Sequence, residues 1–148
     1  MEVQADFRDL LALFNKHRVD YVVVGGYALA YLGAPRYTGD LDVLIRPDPA
    51  NADRVLTALE EFGFGSVGLA RADFEKPGQV IQLGLPPVRI DLVTSLTGVS
   101  WTEAAAGRQS GRYGDIPVYF LGRKEFLLNK RAMARKKDLA DLEALGEE

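Results

Sequence analysis

Phe7, Leu10, Leu11 and Phe14 fall three and four residues apart, the spacing of one helical face, and predict an amphipathic opening helix ending near Lys16 to Arg18. The next apolar group differs in kind. Tyr21-Val-Val-Val is short, continuous and β-branched, which predicts a buried strand. Gly25-Gly26 stops it, and Tyr27-Ala-Leu-Ala-Tyr-Leu returns to helix-compatible residues until Gly33 and Pro35 break the pattern. Leu41 to Ile45 reads as a second strand, Pro47 to Asn51 as a turn, and Ala52 to Phe62 as an amphipathic helix ended near Gly63. Val80 to Leu83 and Val88 to Val93, separated by Gly84-Leu-Pro-Pro, predict paired strands. A short helix is expected over Trp101 to Ala106. Ile116 to Leu121 reads as a last strand, which Pro117 restricts to a sheet edge or a strand start. Two helices, Lys124 to Met133 and about Lys137 to Leu145, close the chain.

Strands and helices mix here without strict alternation. That order predicts an α+β fold, a small mixed β-sheet with helices packed against it, rather than a doubly wound one. With 148 residues, no internal repeat and no long linker, a single domain over residues 1–148 is expected, its C-terminal helical segment lying at about 123–145. The hydrophobic fraction of 47% and the charged fraction of 26% are those of an ordinary folded domain, which sets aside disorder. No apolar run approaches the roughly 20 residues that cross a bilayer. The acidic start, Met1-Glu-Val-Gln-Ala-Asp, lacks the basic and apolar stretches of a secretory signal, so a cytoplasmic location is expected.

The absence of cysteine and the presence of one histidine, His17, exclude a disulfide framework and a thiolate or histidine-rich zinc site. Any metal must sit on oxygen. A net charge of -3 argues against indiscriminate nucleic-acid binding. The segment from Arg123 to Lys137 nevertheless carries Arg123, Lys124, Lys130, Arg131, Arg135, Lys136 and Lys137 against Glu125, which predicts a locally positive face.

The chemistry is concentrated between Val22 and Ile45. Asp40 and Asp42 stand two apart around Leu41, so on a strand both carboxylates leave one face while their apolar neighbours leave the other. At about 6 to 7 Å they repel by on the order of 2 to 3 kcal/mol at an effective dielectric near 20. Packing gains nothing from that arrangement, but a divalent cation turns the repulsion into attraction, and Mg²⁺ or Mn²⁺ prefers carboxylate oxygen. The bland alternative is a turn-capping aspartate beside a solvated one. Upstream, the amides of Gly25 and Gly26 can hold phosphate oxygens, and a plain turn explains the two glycines equally well. Arg36 can pair with phosphate and Thr38 can orient a metal ligand, while a plain surface role also fits Arg36. Asp91 interrupts the apolar strand Val88 to Val93 and needs a partner. Beside the Leu41 strand it could ligate metal or take a proton; a salt bridge to Arg89 or another base fits the residues equally.

The order Gly25-Gly26, Arg36-x-Thr38-x-Asp40-x-Asp42, then Asp91 in a later strand resembles the DNA-polymerase-β-like nucleotidyltransferase superfamily. Within it the chain is similar to the small minimal nucleotidyltransferases related to abortive-infection and toxin–antitoxin systems. Lys130-x-x-x-x-Arg135-x-Lys137-Asp138-x-x-Asp141-Leu142 resembles their closing helical segment, so the likeness spans nearly the whole domain. One departure is Gly26, where many members carry a serine that helps hold phosphate, which implies a weaker triphosphate grip here.

The resemblance implies two Mg²⁺ ions, Mn²⁺ being the other choice, held by Asp40, Asp42 and Asp91, and an NTP as substrate. It implies transfer of an NMP to a hydroxyl of RNA, a tRNA end included, or of a protein. Lys130, Arg135 and Lys137 would stabilise the triphosphate if the last helices fold back over the site. It also implies a toxin–antitoxin component with an antitoxin or other protein partner. A catalytically inactive nucleotide-binding or partner-binding module is the alternative. Tyr27, Tyr31 and Tyr37 are candidates for stacking on a base, against ordinary packing roles.

Overall fold

The structure is a computed structural model, and it describes residues 2–35, 39–65 and 67–147. Six strands form one mixed sheet. They are β1 (Tyr21–Val24), β2 (Asp40–Ile45), β3 (Val80–Leu83), β4 (Arg89–Val93), β5 (Gln109–Tyr113) and β6 (Ile116–Phe120), in the order β3-β4-β2-β1-β6-β5. The helices are α1 (Ala5–Lys16), α2 (Gly25–Tyr31), α3 (Pro49–Leu59), α4 (Trp101–Gly107), α5 (Arg123–Met133) and α6 (Lys136–Ala144). The expected α+β architecture is the one observed.

Alternation along the strands sorts the core into two halves. Tyr21, Val23, Leu41, Val43, Ile45, Ile90 and Leu92 meet Phe7, Leu10, Leu11 and Phe14 of α1 and Ala52, Val55 and Leu59 of α3 on one face. On the other face Val22, Val24 and Leu44 meet Leu29 of α2, Ala104 of α4 and Phe126 of α5. Asp42 pairs with Val24 across the ladder and therefore belongs to this second face.

Two details depart from the sequence-based expectation. α3 begins inside the segment read as a turn, because the Asp48 side chain caps it, accepting from the Asn51 amide at 2.7 Å, and Pro49 is tolerated in the first turn. The strand β5 was not expected, since Gln109-Ser-Gly-Arg-Tyr has only Tyr113 buried and shows no apolar alternation. Its pairing with β6 makes it a strand. A Cβ at Gly111 would lie 2.6 Å from Tyr31 and 2.9 Å from Phe120, so glycine admits the ring stack of those two residues. β6 itself falls within the expectation: it lies inside the sheet, with β5 at the edge. Pro117 is accommodated at the strand start, before β6 meets β1 at Val23 and Phe120.

Candidate active site

β2 is the hub of the site. β1 runs antiparallel to it and places Val24 opposite Asp42, so the chain turns at Gly25 directly beside that aspartate. β4 runs parallel to it on the other side, with Asp40 opposite Arg89 and Asp42 opposite Asp91. Leu41 and Val43 are fully buried on the far face, which fixes the register and aims Asp40 and Asp42 together. The three aspartates named from the sequence thus share one face of two neighbouring strands.

Gly25 is required by the close approach. Its φ is +65°, and a Cβ there would stand 2.3 Å from Oδ2 of Asp42. Asp42 is crowded by charge as well as by backbone. Burial, then the charges of Asp91 and Asp40 and a hydrogen bond shared with Asp91, push its carboxyl up to about 7, with Lys130 acting in the opposite direction. Asp91 meets the partner that was its alternative reading. Arg89 donates from Nε to Asp91 Oδ1 at 3.1 Å and from Nη2 to Oδ2 at 3.0 Å, and its Nε lies 3.8 Å from Asp40 Oδ2.

Among the described residues no three acidic, histidine or cysteine side chains converge closely enough to enclose an ion. The donor chemistry still fits a hard divalent cation at Asp40 and Asp42. Two carboxylates stacked along β2 have only oxygen to offer; burial and the neighbouring carboxylates push the Asp42 carboxyl up, and the Arg89 guanidinium lies beside Asp40.

A cleft of about 640 Å³ opens on this face. Gly25 and Gly26 line it from the start of α2, Asp40 and Asp42 from β2, and Lys130, Arg135 and Lys137 from the closing helical segment. The carboxy-terminal segment does return to the aspartates. Its cations, however, are largely neutralised. Lys130 is buried, with Nζ 3.3 Å from both Asp138 Oδ1 and Asp141 Oδ2, and Arg135 Nε lies 2.7 Å from Asp138 Oδ2. Arg123 and Arg131 both pair with Glu147. The positive face expected over Arg123 to Lys137 is therefore reduced, because α6 and the residues after it bring acids that the segment itself lacks. Lys137 lines the cleft with no ion pair among the described residues.

Arg36 and Thr38, with Tyr37, lie outside the described residues. Tyr27 and Tyr31 are packing residues rather than base platforms. Tyr27 is buried edge-on against Phe7 and Tyr113, and Tyr31 stacks on Phe120 with ring centroids 4.4 Å apart. The cleft also contains Ser95, Thr97 and Asn129, which the sequence reading missed. Asn129 donates from Nδ2 to the Thr97 carbonyl at 2.9 Å. Its position three residues after Phe126, on the buried side of α5, was the available signal.

No protein-family model matches the sequence, and neither does any curated protein. Solved structures do match. One is a lincosamide antibiotic adenylyltransferase, LnuA, with lincomycin bound, at 13% identity and a TM-score of 0.53, covering 97% of this chain and 96% of that one. A candidate nucleotidyltransferase from Thermotoga maritima has a TM-score of 0.58 at 11% identity, covering 98% and 93%. An antigenic nucleotidyltransferase-like protein from Paracoccidioides brasiliensis has a TM-score of 0.52 at 18% identity, covering 97% and 75%. At these identities the shared property is architecture: this chain has the nucleotidyltransferase fold.

Proposed function

We propose that the protein is a metal-dependent nucleotidyltransferase that moves an NMP from an NTP to an acceptor hydroxyl. The observation that carries this reading is the strand register that sets Asp40, Asp42 and Asp91 on one face, beside a glycine turn and a cleft lined by cationic side chains. Asp40 and Asp42 hold Mg²⁺, or Mn²⁺, and Asp91 serves a second ion. Bound there, the ions supply charge neutralisation for the triphosphate and lower the pKa of the acceptor hydroxyl.

The chain's own groups do the rest. Gly25 and Gly26 line the cleft, where a backbone amide can meet a phosphate oxygen, with Arg36 and Thr38 preceding the aspartates in sequence. Lys137 faces the cleft to meet charge that builds on the leaving pyrophosphate, and Lys130 and Arg135 add a fixed field from within their ion pairs. The acceptor oxygen bonds to the α-phosphorus as the bond to pyrophosphate breaks, and the hydroxyl proton passes to Asp91 or to solvent.

The acceptor is a hydroxyl of RNA, a tRNA end included, or of a protein, in the manner of a toxin–antitoxin component with an antitoxin partner. The self-neutralised carboxy-terminal segment weighs toward protein over RNA, since phosphate backbones demand uncompensated cations. A small hydroxyl compound joins the acceptors to be tried, because one structural neighbour is an adenylyltransferase of an antibiotic. A catalytically inactive binding module is the poorer account: a retired site gains nothing from adjacent like charges that leave Asp42 uncomfortable.

The test is incubation with each of four α-labelled NTPs and Mg²⁺ in cell extract, followed by identification of the labelled species. Asp40→Asn with Asp42→Asn should abolish labelling while the fold persists by circular dichroism. Label transfer that persists in the double variant would overturn the assignment of Asp40 and Asp42, and nucleotide binding by the wild type with no transfer to any acceptor would sink the enzyme reading.

A further inference from the structure

Arg89 stands in the middle of the acidic cluster. It precedes Asp91 by two residues on β4, so both side chains leave one face, and across the parallel ladder it is the direct partner of Asp40. Its planar fork meets both oxygens of Asp91, at 3.1 and 3.0 Å, while Nε lies 3.8 Å from Asp40. A group that grips one carboxylate bidentately and lies beside a second supplies what a divalent cation supplies there, charge and direction. The two compete for Asp91, whose oxygens already accept from nitrogen. Arg89 is also free to leave. Its side chain is 34% exposed, so turning outward returns the guanidinium to water, whereas Asp91, 12% exposed, stays where it is.

We propose that Arg89 is the built-in counterion of the acidic cluster, and that Asp91 becomes a metal ligand only when an incoming divalent cation displaces the guanidinium. The inference rests on the reading of Asp40 and Asp42 as metal holders. It sets an order: the ion at Asp40 and Asp42 enters without breaking the Arg89 fork, and the ion that engages Asp91 enters against it. Arg89 is thus a positioning residue. It holds the third carboxylate beside Asp42 before loading and opposes its premature use.

The experiment is Mn²⁺ titration of the full chain without nucleotide, followed by electron paramagnetic resonance, for the wild type, Arg89→Gln and Arg89→Lys at one pH. Removing a charge-assisted fork should tighten Mn²⁺ binding by about tenfold in Arg89→Gln, with Arg89→Lys in between. In parallel, the Arg89 Nε–Hε resonance of the wild type should move as diamagnetic Mg²⁺ is added, over the range that loads the protein. If all three proteins bind Mn²⁺ equally, or the resonance is unmoved at saturating Mg²⁺, Arg89 is a strand tie and the proposal fails while the enzyme reading stands. If none of the three binds Mn²⁺, the metal site falls and takes this inference with it. Should Arg89→Gln not fold, Arg89→Lys and the wild-type resonance decide the matter.

Discussion

Gly25 and Asp42 constrain each other through one contact. The glycine's left-handed backbone lets the chain leave β1 against the aspartate, and any side chain would enter the carboxylate at 2.3 Å. Gly25→Ala should therefore cost about 1 to 2 kcal/mol from backbone conformation alone, with more from the displaced carboxylate, and should also weaken NTP binding; urea unfolding and nucleotide titration check both. Asp42 brings a pH dependence. Its folded-state pKa, about 7, is raised above the unfolded value, chiefly by burial and then by Asp91 and Asp40. The stabilising effect of its proton is thus fully present below the unfolded pKa and is lost as pH rises through about 7. In metal-free protein the stability difference between wild type and Asp42→Asn should shift against the wild type by on the order of 3 kcal/mol across that window. Chemical denaturation at pH 4, 6 and 8 measures it, and a flat difference would show that Asp42 is ionised throughout.

At the scale of elements, α5 and α6 are joined by an ion network rather than by apolar contact alone. Asp138 is fully buried. Burial opposes its charge, but hydrogen bonds from the Arg135 side chain and amide, and the charge of Lys130, outweigh that and hold the carboxyl down at about 2. A folded pKa below the unfolded one means stability present above the unfolded pKa and lost as pH falls toward 2. Asp138→Asn should cost about 2 kcal/mol at neutral pH, the difference from wild type closing at pH 2, as followed by helical circular dichroism. This network was half legible. Lys130, Arg135, Asp138 and Asp141 stand out in the sequence, but which cation meets which acid depends on the turn at Ala134, whose φ of +51° folds α6 back on α5. A left-handed alanine carries no sequence signal. β5 was illegible for a related reason, since its polar residues become a strand only through pairing with β6. By contrast β1, β2 and β4 declare themselves, because buried strands must be β-branched and apolar, and aspartates in such company are conspicuous.

At the scale of the whole molecule, the common face of Asp40 and Asp42 was legible because the pleat dictates it: residues two apart on a strand share a side, and Asp91 needed only a neighbouring strand in register. Arg89 was legible as a partner for Asp91, two residues away on the same strand; its place opposite Asp40 was not, because that depends on β2 and β4 running parallel. The cleft so formed is bounded by strands on one side and by α5 and α6 on the other, elements far apart in the chain. A ligand filling it joins the sheet to the closing helices, and its binding energy adds to the stability of the whole fold. At a hundredfold excess over its dissociation constant, an NTP with Mg²⁺ should contribute about 2.7 kcal/mol, which for a chain of this size raises Tm by roughly 5 to 10 °C. Thermal scans of the wild type should show that rise with NTP and Mg²⁺ together and much less with either alone. Asp40→Asn should remove it while leaving the unliganded Tm near or above that of the wild type, because the substitution relieves like-charge repulsion. An equal rise in that variant would mean that the nucleotide binds away from the aspartates.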